Sequence, residues 1–139
     1  MTFNDEYKAI LRLKSEEDKK YLYELPDYWE TSPAIQAEIA LFTRNLKDTI
    51  NFLDNDCDGE QLGCLSEVFD PISAKLQSWE FIDAILQVAK KFPEETKKYS
   101  IDNFIASAIG QLNDSVYEQR YKLKNKRRGK IKKSSSEAQ

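Results

Sequence analysis

The chain contains no histidine, two cysteines, four glycines and four prolines among its 139 residues. Without histidine there is no Ser-His-Asp or Cys-His catalysis, no histidine general base and no histidine-containing metal site. So little glycine and proline argues against a turn-rich all-β sandwich. Cys57 and Cys64 lie seven residues apart, with neither CxxC nor metal spacing, so no disulfide framework is implied. No run approaches the ~20 apolar residues that span a bilayer. The opening Met-Thr-Phe-Asn-Asp-Glu has neither the basic nor the apolar region of a signal peptide. The expectation is a cytoplasmic protein with reduced thiols, free of membrane. The length suits one domain with or without a tail; a (β/α) barrel needs more chain.

What is present is charge, and it is unevenly spread. Residues 1–119 carry 12 basic and 23 acidic side chains, a net −11, whereas residues 120–139 carry nine basic and one acidic, a net +8. This divides the chain into an acidic body, 1–119, and a basic C-terminal helix extension and disordered tail, 120–139. An acidic body repels nucleic acid and attracts basic proteins. The tail cations Arg120, Lys122, Lys124, Lys126, Arg127 and Arg128 could hold phosphates without regard to sequence. They could equally fold back on the acidic body or extend the last helix.

The apolar periodicity is helical throughout. Ile35, Ile39, Phe42, Leu46, Ile50 and Leu53 recur at steps of 4, 3, 4, 4 and 3. They predict one long helix over 33–53, with Ser32 as N-cap and Pro33 at the first helical position. Shorter helices are expected over 4–13, from Ser15 to about Leu25, and over 60–69, where Asp70-Pro71 can break the helix or start a further helical turn through Leu76. Others are expected over 79–91 with Ser78 as cap, over 101–112 with Ser100 as cap, and from Asn113. Residues 26–32 read as a loop. The expected fold is all-α: six or seven helices in antiparallel hairpins. The pairs 33–53/60–76 and 79–91/101–112 suggest HEAT-like stacking.

Asp54-Asn55-Asp56-Cys57-Asp58-Gly59 matches the first half of an EF-hand loop, with Asp54, Asp56 and Asp58 at the first three ligand positions. Position 12, where calcium needs a bidentate glutamate, is Leu65. Two other readings stand beside calcium. Asp58 is an N-cap for the next helix, or the turn is an acidic contact for a basic partner. Tyr28, Trp29 and Glu30 are either binding anchors or, for Trp29, packing over a helix end. Trp79 is expected to pack. No carboxylate pair has a spacing that demands acid–base chemistry, so neither an enzyme nor a cofactor is expected.

Several stretches carry a family resemblance. They are Asp54–Glu60, an acidic turn opening a helix; Leu65-Ser66-Glu67-Val68-Phe69-Asp70; Trp79-Glu80-Phe81-Ile82-Asp83-Ala84-Ile85-Leu86; Phe92-Pro93; and Ile109-Gly110-Gln111-Leu112-Asn113-Asp114. Over about 80 residues they resemble the small helical immunity proteins of bacterial polymorphic-toxin and contact-dependent growth-inhibition systems, nearest the family called immunity protein 30. The resemblance implies a stoichiometric inhibitor of a cognate toxin. Many such toxins are nucleases with basic, phosphate-holding surfaces, which an acidic body matches. On this reading the toxin contact is Asp54, Asp56, Asp58 and Glu60, joined by Glu67 and Asp70. The alternative is a nucleic-acid-associated adaptor that uses the basic tail.

Overall fold

The computed structural model describes residues 1–121, and the described chain is all-helical without a strand. It has ten α-helices and one 3-10 turn, more than the six or seven that periodicity suggests. The difference lies in where helices stop.

Helix α1 spans Phe3–Lys19 as one piece, opened by a reciprocal capping box between Thr2 and Asp5. The expected restart at Ser15 does not occur, and Glu17, which follows it, serves another helix. Glu17 is buried and accepts hydrogen bonds from Ser32 Oγ at 2.5 Å and Ala34 N at 2.9 Å. It places a carboxylate at the positive end of α3. Tyr21, in the left-handed region at φ 57°, turns the chain out of α1 into the 3-10 turn Leu22–Glu24. The expected loop 26–32 then contains the short helix α2, Tyr28–Thr31.

The predicted long helix is two: α3, Pro33–Arg44, and α4, Leu46–Asn55. Asn45 is extended, with φ −154° and ψ 114°, and its side chain caps Asp48 N. Next follow α5, Gly59–Ser66, and α6, Phe69–Leu76, with Asp70 and Pro71 in the first turn of α6. Helix α7, Trp79–Lys91, begins at the Ser78 cap as expected. Phe92-Pro93 stops it but also opens an unforeseen helix, α8, Pro93–Lys98. Helix α9, Ile101–Gly110, starts after Ser100, which is left-handed at φ 54° and makes no side-chain cap. Helix α10, Asp114–Tyr117, is capped by Asn113.

Of the expected pairings, α7 packs on α9, and α3, the first half of the predicted 33–53 helix, packs on α6, while the second half, α4, packs on α7. Helices α1, α4 and α7 form one run of contacts, and α3, α6 and α9 another, tied by α1 against α3 and α7 against α9. The core between them holds Tyr7, Phe42, Phe52, Leu62, Phe69, Ile72, Phe81, Ile82 and Ile85, all fully buried. Phe3, Tyr7, Phe42 and Phe52 meet at ring-centroid distances of 4.9–5.7 Å, mostly edge to face. Leu86 on α7 and Phe104 on α9 are partly exposed.

Candidate protein-binding surface

The six acids singled out in the sequence run from the last turn of α4 through α5 to the first turn of α6. Asp54 lies in the last turn of α4 and Asp56 at its C-cap, both exposed. Beside them, the Asp54 carbonyl accepts from Lys91 Nζ at 2.6 Å. Asp58 is the N-cap of α5: its carboxylate accepts from Gln61 N at 2.8 Å, and Gln61 Oε1 accepts from Asp58 N at 3.0 Å. Of the readings open for this turn, the geometry matches the N-cap one for Asp58. No group of three or more Cys, Asp or Glu side chains is placed to hold a metal among the described residues. Asp70 is engaged within the chain. Its Oδ2 accepts from Ser107 Oγ at 2.7 Å, and its Oδ1 is buried without a hydrogen-bond partner. Glu60 is exposed on the first turn of α5. Glu67 is half exposed and receives Lys14 Nζ at 3.4 Å.

That lysine leads to a buried polar cluster. Glu38, on α3, has no solvent exposure. It accepts from Tyr7 Oη at 2.5 Å and from Lys14 Nζ at 3.3 Å. Burial pushes the Glu38 carboxyl above its usual range, against the downward pull of Lys14 and Tyr7. Burial also works to lower Lys14, but Glu38 and Glu67 outweigh it and hold the ammonium above its usual value. Burial drives the Tyr7 phenol far upward, reinforced by Glu38. One signal for this cluster was present in the sequence: Glu38 falls between Ile35 and Phe42, on the apolar stripe itself. Its partners, 24 and 31 residues away, were not legible.

Lys14 and Glu67 sit where two depressions adjoin, since Glu67 lines both. One, about 530 Å³, is lined by Leu11, Glu60, Cys64 and Tyr99. The other, about 270 Å³, lies under the corner made by the 3-10 turn and α2, with Tyr23, Tyr28, Trp29 and Asp18 in its lining. Tyr28 is buried, while Trp29 and Tyr23 are each 50% exposed and Tyr21 is 63% exposed. Trp29 therefore does not pack away over a helix end, as one sequence reading had it. Trp79 does pack, 7% exposed, its indole N–H donating to the Val116 carbonyl at 2.7 Å.

Arg120, a candidate phosphate contact, is engaged within the chain. Its guanidinium grips Asp83 at 2.8 and 3.0 Å and lies 4.7 Å from the Trp79 ring. Tyr121 packs on the same indole, centroids 5.6 Å apart. Lys122, Lys124, Lys126, Arg127 and Arg128 lie outside the described residues. Cys57 and Cys64 are free thiols; burial pushes Cys57 up to about 12 and raises Cys64 as well, so neither is a poised nucleophile.

Compared with protein-family models, with curated proteins and with solved structures, the chain has no match.

Proposed function

We propose that this chain is an immunity-type binding protein. It neutralises a cognate toxin, a basic nuclease domain, by stoichiometric contact and without turnover, in the cytoplasm where the toxin would act. The contacts α3 on α6 and α7 on α9 are read as stacked, HEAT-like hairpins that present a rigid face. The observation that carries the proposal is the corner at Tyr21, Tyr23 and Trp29. Half-exposed aromatics there stand beside Asp18 and Glu67 on a body of net −11. Tight interfaces need such aromatic anchors at their centre, and charge of one sign around them raises the encounter rate with an opposite partner. Asp54, Asp56, Asp58 and Glu60 then act as a steering rim.

The test is co-expression with basic toxin domains encoded beside the gene, scored by survival and by isolation of a one-to-one complex. A complex that persists in high salt and after nuclease treatment supports the reading. Survival unchanged by the chain for every neighbouring toxin overturns it. Changing Asp54, Asp56 and Asp58 together to lysine should slow association roughly tenfold or more in low salt, read by stopped-flow mixing. Equal rates would remove the steering role of the turn. The alternative, a nucleic-acid adaptor acting through the tail, has less to draw on once Arg120 is held by Asp83. It requires nucleic-acid retardation that disappears when the tail is removed.

A further inference from the structure

We propose that the depression at the α1–α2 corner is a receptor for one arginine side chain of the partner protein. The inference rests on the reading of the chain as a protein-binding partner, and it names what that partner inserts. The depression measures about 270 Å³ and is lined by aromatic rings (Tyr23, Tyr28, Trp29), by Ile35, by the carboxylates of Asp18 and Glu67, and by Lys14. That is smaller than the ~300–1,000 Å³ typical of small-molecule sites, and it suits a single side chain. Its chemistry is three aromatic rings with two carboxylates. A guanidinium satisfies both kinds of group at once, stacking on a ring while its planar fork donates to carboxylate oxygens.

The chain carries a filled example of the same arrangement. At Trp79 and Asp83 the cation is its own Arg120, stacked over the indole and bonded through two nitrogens to the carboxylate. At Trp29 and Glu67 the only cation in the lining among the described residues is Lys14. That lysine is shared with the buried Glu38 at 3.3 Å and reaches Glu67 through one oxygen at 3.4 Å. An ammonium so placed leaves the half-exposed Glu67 able to take a second donor. Trp29 and Tyr23 keep half their surfaces open, which an entering arginine would cover.

The experiment uses the full chain, labelled with nitrogen-15, and an acetylated, amidated Gly-Arg-Gly peptide. Its neutral control has citrulline in place of arginine. The arginine peptide should shift the Trp29 indole and the amides of Tyr23 and Glu67 in a saturable way and leave the Trp79 indole unmoved. The citrulline peptide should not, and Trp29→Ala or Glu67→Gln should abolish the shifts. Shifts spread evenly over the acidic surface, or equal for both peptides, overturn the inference. With the toxin identified by co-expression, Trp29→Ala and Glu67→Gln should each weaken binding tenfold or more. Binding within twofold of the unaltered chain would sink the arginine receptor while leaving the inhibitor reading intact. A chain that takes the peptide but protects against no toxin would do the reverse. Both substitutions are at exposed side chains, and unchanged amide spectra elsewhere will show that the fold is kept.

Discussion

Glu38 is a carboxylate with no exposure, held by one ammonium and one phenol. Breaking a buried ion pair from one side is costly because the other charge stays buried. Lys14→Met should therefore lower stability by about 3 kcal/mol in urea denaturation. Tyr7→Phe, which removes a hydrogen bond to a charged group, should lower it by about 1.5–3 kcal/mol. The pH dependence has a definite sign. Glu38 is raised in the fold from a usual value of 4.5, so its contribution is complete below that pH and declines as pH rises through the folded value. Glu38→Gln should gain on the unaltered chain as pH is raised from 4 to neutrality; a constant difference would refute the assignment. Lys14 and Tyr7 are also raised, from 10.5 and 10.0. Their contributions are complete below pH 10 and are lost as alkali strips them, so Tyr7→Phe should blunt the alkaline transition.

At the scale of elements, the break between α3 and α4 shows what periodicity conceals. The apolar spacing runs unbroken through Phe42 and Leu46, because the chain resumes its helix with the same face inward. What interrupts it is polar. Asn45 caps Asp48 N at 3.1 Å, and the buried Thr49 hydroxyl donates to the Phe42 carbonyl at 2.8 Å, satisfying the end of α3. Asn45→Ala should cost about 1 kcal/mol. Thr49→Val, which leaves that carbonyl buried and unpaired, should cost about 1–3 kcal/mol. Both are measurable by thermal unfolding, and a neutral Thr49→Val would mean that water or another donor replaces the hydroxyl. The caps at Ser32, Ser78, Asp58 and Asn113 were legible because each is local, a side chain reaching three residues or fewer ahead. The continuity of α1 past Ser15 was not. It depends on Glu17 meeting Ser32 and Ala34, a contact no local rule contains. Aromatic exposure was equally out of reach: Trp29 and Trp79 look alike in the sequence, and only the second finds a helix to cover it.

For the whole molecule, the deciding quantity is how charge is divided. The all-α class and the acidic body follow from composition and period alone, since both are sums over many residues. Where the acids point is a matter of packing, which is why Asp58 caps α5 and Asp70 meets Ser107 while Glu67 stands half exposed. Ending the chain after Tyr121 removes eight basic residues and one acidic one, taking the net charge from −3 to −10. The core formed by the described residues is untouched by the cut, so their fold should persist. Steering depends on the long-range field. The shortened chain should therefore bind a basic toxin several-fold faster at 0.01 M salt. At 1 M salt, where the screening length falls to about 3 Å, the two rates should converge. Faster association would make the tail a brake on encounter, with any phosphate affinity incidental to it. Slower association would place the tail's cations at the interface itself, and the partner would then have to present an acidic or phosphate-bearing surface to them.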